Sequence, residues 1–121
     1  MKICITSQGD NLESQVDPHF GRCQYFIIVN PDTLEFEAIK NPNIDSSGGA
    51  GIQSGQLISE KLAEIVITGN VGPNAFNTLK AGGIRVITGA SGKIKEIIEQ
   101  YKNNKFKTID KPNVTSHFGM S

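Results

Sequence analysis

The chain has 121 residues, enough for one domain with a real core, and its 12 Lys and Arg balance its 12 Asp and Glu. A net charge of zero argues against a general nucleic-acid or membrane-surface binder, which carries a basic excess. The balance is uneven along the chain, with four bases and nine acids in residues 1–64 and eight bases and three acids in 65–121. No apolar run approaches the roughly 18 residues of a membrane span, and the amino terminus turns polar too soon for a secretory signal. Cys4 and Cys23 therefore read as reduced thiols in a cytoplasm.

Lys2 to Thr6 is a short β-rich run and predicts the first strand. The polar stretch Ser7 to Cys23 is too long for a hairpin turn and marks itself as a working loop. Tyr25 to Val29 is an apolar strand closed by the turn sequence Asn30-Pro31-Asp32-Thr33. Leu34 to Ile39 alternates apolar and polar residues, as a half-buried strand pairing back on it does. Glu35 and Glu37 point outward and protect this edge against sheet extension.

A Gly/Ser/Asn loop from Asn41 to Gly51 then leads into a helix over about Gln53 to Ala63, with Leu57, Ile58 and Leu62 inward. Ile65 to Gly69 is a buried strand. Gly72-Pro73 opens the next helix, Ala75, Phe76 and Leu79 form its apolar face, and Gly82-Gly83 ends it. Ile84 to Gly89 is another strand. Ser91 caps a last helix whose Ile94, Ile97, Ile98 and Tyr101 fall on one face. Residues 106–121, beyond a domain spanning 1–105, read as a tail without a period.

The order βββαβαβα predicts an α/β fold with a mixed five-stranded sheet, order 3-2-1-4-5, and helices on both faces, the ribonuclease H-like layout. Three strands end in Thr-Ser or Thr-Gly at the same edge of that sheet, where open α/β sheets bind ligands and helix amino termini attract anions. Gly48-Gly49-Ala50-Gly51 is a further loop able to cradle an anion, helped by Gln53, Ser54 and Gln56. It is neither a Walker motif nor a dinucleotide fingerprint.

Both histidines lie in a repeated triplet, His19-Phe20-Gly21 and His117-Phe118-Gly119. Neutral imidazole is a common metal ligand, and Cys23 adds a thiol four residues after His19. The bland alternative is a histidine bonded to loop backbone with Phe20 plugged into the core. Several enzymes are set aside. The first strand lacks the carboxylates that a two-metal nuclease needs, no Gly-x-Ser-x-Gly or Cys-x-x-Cys is present, and Cys4, His19, Cys23 and His117 fit no ordinary zinc spacing. Cys4, in mid-strand, reads as a small core residue.

Taken with the element order, Asp17-Pro18-His19-Phe20-Gly21-Arg22-Cys23, Gly48 to Gly51 and Ile67-Thr68-Gly69-Asn70-Val71-Gly72 are similar to the dinitrogenase iron-molybdenum cofactor biosynthesis family. That family holds the NifX-like and NafY-like carriers and the carboxyl-terminal domain of NifB. The resemblance runs over roughly residues 1–105. It implies a non-catalytic carrier for an iron–sulfur or molybdenum–iron–sulfur cluster, the iron-molybdenum cofactor or a precursor, in cluster biosynthesis or storage. A cluster-assembly or acceptor protein would be its partner. His19, in the Phe20-Gly21 setting, takes the metal-binding role, Arg22 is a charge partner, and Cys23 offers a thiolate. Gly48, Gly49, Gly51, Gly69, Asn70 and Gly72 would present backbone N–H groups to sulfides, and His117 is a second imidazole. Two rival readings are a small regulatory or scaffold protein anchored by exposed Phe20 and Phe118, and a generic anion or nucleotide binder using the glycine loops.

Overall fold

Near-continuous apolar runs give central strands that are buried on both faces, and this decides the architecture. The computed structural model describes residues 1–44, 49–106, 108, 109 and 112. Its strands are β1 (Ile3–Ser7), β2 (Tyr25–Val29), β3 (Phe36–Lys40), β4 (Ile65–Ile67) and β5 (Arg85–Ile87), and its helices are α1 (Ala50–Glu60), α2 (Pro73–Ala81) and α3 (Ile94–Lys102). The sheet order is β3-β2-β1-β4-β5. β1 pairs antiparallel with β2, Ile3 opposite Val29 and Ser7 opposite Tyr25, and parallel with β4, Ile3 opposite Ile65. β5 adds in parallel to β4, and β3 in antiparallel to β2.

Cys4, Phe26, Ile28, Val66 and Val86 face one core with Ile58 of α1 and Ala75, Phe76 and Leu79 of α2. Ile3, Ile5, Ile27, Val29, Ile65, Ile67 and Ile87 face the other, closed by Ile94, Ile97 and Ile98 of α3. Helices thus cover both faces of the expected sheet. Those three α3 isoleucines are buried and contribute about 5–9 kcal/mol as an upper figure.

The differences from the sequence pattern are local. α1 starts at Ala50 and ends at Glu60, so Leu62 lies beyond it with φ 62 and is 75% exposed rather than inward. The chain turns at Leu62 so that its neighbour Ala63 enters the core instead. β4 and β5 are shorter than their apolar runs, and Thr68-Gly69 and Thr88-Gly89 belong to the loops. Leu34 precedes β3 at φ 65, in the turn that follows β2. Ser91 does not cap α3. Lys93 holds that position, and its backbone N–H donates to the Glu96 carboxylate at 2.9 Å. Edge strand β3 does carry an exposed Glu37, which pairs with Lys61 at 3.1 Å.

The long loop after β1 is itself ordered. Gln8 N–H donates to the Gln15 carbonyl, Val16 N–H to that of Gly92, and Ile94 and Lys95 N–H to those of Ser14 and Leu12. Past α3, Phe106 packs on the second core and Ile109 N–H donates to the Val86 carbonyl at 2.8 Å, lying against β5.

Candidate functional site

Where the parallel strands end, a pair of buried hydroxyls anchors the His-Phe-Gly loop. Thr6 Oγ1 donates to the Asp17 carbonyl at 2.6 Å and lies 2.8 Å from Thr68 Oγ1. Thr6 has one proton to give, so the Thr68 hydroxyl supplies the proton of the second contact. Asp17 N–H in turn donates to the Thr6 carbonyl at 2.9 Å. The Asp17 side chain then turns the chain, its Oδ1 accepting His19 N–H at 3.0 Å. This is the short-range turn that Asp before Pro favours.

Next, the loop zips onto the segment after β4. Asn70 N–H donates to the Pro18 carbonyl at 2.7 Å and Phe20 N–H to the Asn70 carbonyl at 3.2 Å, a parallel bridge of His19 with Asn70. Such an approach requires Gly69, because a Cβ there would stand 2.7 Å from Pro18 Cα and 2.9 Å from its carbonyl oxygen. Phe20 drops into the core, 8% exposed, with its ring 5.7 Å from that of Phe26. His19 is left outside, its side chain 65% exposed.

Behind the loop the helices crowd in. Gly21, at φ 94, has its backbone so near α1 that a Cβ would lie 3.2 Å from Gly51 Cα, and a Cβ on Gly51 would lie 2.9 Å from Ala75 Cβ of α2. Asn41, buried, holds the returning chain by donating from Nδ2 to the Gly21 and Cys23 carbonyls at 3.0 and 2.9 Å. Gly49 and Gly72 are the N-caps of α1 and α2. Neither helix has a side-chain cap bond or an acidic residue in its first turn. Helix amino ends of this kind carry partial positive charge and attract anions. Arg22 is exposed and donates from Nη1 to the Ile44 carbonyl at 3.1 Å.

Several sequence expectations meet here. His19, Phe20, Gly21, Arg22, Gly49, Gly51, Gly69, Asn70 and Gly72 converge at one end of the sheet. Gly48, His117 and Phe118 lie outside the described residues. Phe20 is a core plug and not an exposed anchor, because the bridge to Asn70 turns its ring inward. Ser54 faces the core from α1 rather than an anionic guest, and its hydroxyl has no hydrogen-bond partner among the described residues.

Of the two thiols, Cys4 is the core residue expected and Cys23 departs from expectation. Cys23 is fully buried, and burial, followed by the charge of Asp17, pushes its thiol well above the usual range. Cys4 is likewise buried, its thiol raised by desolvation and then by Cys23. A protonated, enclosed Cys23 is a core residue rather than an open thiolate ligand. Among the described residues no three His, Cys, Asp or Glu side chains converge on one point.

Sequence reasoning missed Asp17 and Asn41 as loop-forming residues and did not see Thr6 and Thr68 as a linked pair. The Asp-Pro step signalled the first. Asn41 carries no local signal, because its partners are carbonyls 18 and 20 residues away.

The fold and this loop define a small α/β domain that presents an exposed histidine, His19, at the end of its parallel strands. The family model described as dinitrogenase iron-molybdenum cofactor matches residues 1–104, and the chain belongs to that family. It is 31% identical to an uncharacterized protein of Methanocaldococcus jannaschii, over 91% of this chain and 92% of that one. Among solved structures it is similar to the apo form of the orange protein from Desulfovibrio gigas, with TM-score 0.90 and 32% identity over 93% and 96% of the two chains. It is similar also to a putative NifB protein from Thermotoga, with TM-score 0.77 and 34% identity over 88% and 91%. No helix among the described residues is long and apolar enough to cross a membrane.

Proposed function

We propose that this protein is a non-catalytic carrier of a metal–sulfur cluster, an iron–sulfur or molybdenum–iron–sulfur species related to the iron-molybdenum cofactor. The cluster is cargo, received from or passed to an assembly or acceptor protein in the cytoplasm. We assign the binding unit to residues 1–105 and its layout to the ribonuclease H-like class. The observation that carries the reading is the exposed His19, held by its bridge to Asn70 on a loop whose Gly21 packs against the amino end of α1.

The donor set supports this choice of cargo. One imidazole and a group of backbone N–H groups suit an anionic cluster that arrives with its own sulfides. They do not make the three- or four-ligand cage a bare cation needs, and no such set is found among the described residues. In this reading His19 is the metal ligand, Arg22 adds positive charge, and Gly49, Gly51, Gly69 and Gly72 line the cradle, while Asn70, whose N–H is given to the Pro18 carbonyl, fixes the loop at its rim; Gly48 and His117 are further candidates.

The test is anaerobic reconstitution with iron, sulfide and molybdate, then desalting, elemental analysis and an absorption spectrum. Stoichiometric metal and a charge-transfer band are expected for the wild type and their loss for His19→Ala. Wild type emerging metal-free, or His19→Ala retaining full metal, refutes the assignment.

A further inference from the structure

The oxygen that shapes the loop also addresses the imidazole. Asp17 Oδ1 accepts the His19 backbone N–H at 3.0 Å and lies 3.7 Å from Nδ1 of the same residue. The Asp17 side chain is 11% exposed, the His19 side chain 65%. A nearly enclosed carboxylate therefore sits on one side of an open ring.

We infer that Asp17 is the positioning residue of His19, holding the imidazole proton on Nδ1 and leaving Nε2 as the unprotonated donor nitrogen on the open side. This deepens the carrier reading and rests on it for the identity of what Nε2 meets.

The physics is that of a carboxylate behind a ligating histidine. A neutral imidazole carries one proton on either nitrogen, and the partner of one nitrogen decides which. Negative charge near Nδ1 favours a proton there and raises the electron density of Nε2, the nitrogen that can then bind metal. The 3.7 Å separation is longer than a hydrogen bond, so the pull on Nδ1 is electrostatic, from an oxygen that the His19 backbone N–H holds in place. Enclosure strengthens the effect, since few waters screen the carboxylate. The main chain of Asp17 is itself held by Thr6, whose Oγ1 donates to the Asp17 carbonyl and whose own carbonyl accepts the Asp17 N–H. The chain of control runs from two strand-end hydroxyls to the carboxylate and then to the ring.

The experiment reads the proton directly. Long-range proton–nitrogen correlation spectra of the uniformly 15N-labelled, metal-free protein, recorded at about pH 8.5 where imidazole is neutral, report which nitrogen of His19 is protonated. His19→Ala identifies the signal. The wild type is expected to hold the Nδ1–H form in the majority, and Asp17→Asn, which keeps an oxygen for the His19 N–H, to lose that majority. Cluster retention after desalting is expected to fall at least about tenfold in Asp17→Asn, the loss typical when such a supporting carboxylate is removed.

An Nε2–H majority in the wild type overturns the inference without recourse to any variant. An unchanged tautomer in a folded Asp17→Asn protein also overturns it, and so does equal retention once the tautomer has changed. If the wild type takes up no cluster, the carrier reading fails, while the spectrum of the metal-free protein still decides the role of Asp17.

Discussion

Replacing Gly69 by alanine tests the loop clamp. The added methyl would stand 2.7, 2.9 and 3.0 Å from Pro18 Cα, O and Cβ, and the first two are backbone atoms that cannot rotate aside. The loop must back away, and the Asn70-to-Pro18 and Phe20-to-Asn70 hydrogen bonds lengthen or break. Overpacking costs about 1–3 kcal/mol and each lost bond about 1 kcal/mol, so a destabilisation near 3 kcal/mol follows. A chain of this length unfolds with about 0.25 kcal/mol/K of entropy, which turns that loss into a fall in Tm of about 12 °C. Gly83→Ala is the control, with open space around it and only its φ of 77 to strain, worth about 1 kcal/mol. Calorimetry of both variants, followed by reconstitution, separates the effects. Only Gly69→Ala is expected to lose the cluster, because only there does His19 move. A Gly69→Ala protein as stable as Gly83→Ala, with wild-type metal content, refutes the clamp.

His19→Ala is expected to change stability by no more than about 0.5 kcal/mol, since the side chain is exposed, while metal content falls to background by elemental analysis. Cys4 and Cys23 are expected to resist alkylation in the native protein and to react together only on unfolding, as followed by mass spectrometry; rapid native labelling of Cys23 contradicts its burial. Both thiols have folded pKa values above the unfolded one, so their contribution is intact below about pH 8.5 and is lost as pH rises beyond it. Denaturant melts above that pH are expected to show stability falling by about 1.4 kcal/mol per pH unit for each thiol, and Cys23→Ala to halve the slope. Leu62→Gly is expected to raise stability by about 1 kcal/mol in the same melts, because it removes left-handed strain from a side chain that packs on little.

Legibility in the sequence followed the range of the interaction. The five strands, the three helices and the order 3-2-1-4-5 were readable because apolar period, Gly-Pro starts and Gly-Gly stops act within a few residues. Element ends slipped where tertiary contacts overrode that local signal. α1 begins earlier because Gly49 accepts a left-handed N-cap, and Gly51 must lie against Ala75. Ser91 is a good cap in isolation, yet the amino end of α3 is set by bonds to the loop at Leu12 and Ser14.

The candidate site divides in the same way. That the loops after the three parallel strands share one end of the sheet followed from strand order alone, which apolar period and crossover handedness fix. Which residues face out was decided only by the tertiary structure. Phe20 and Cys23 are as polar-flanked in sequence as His19, but the Gly69–Pro18 approach and the Asn41 bonds turn them inward and leave the imidazole in solvent. Those contacts join residues 18 to 51 positions apart, and no window of local sequence holds both partners.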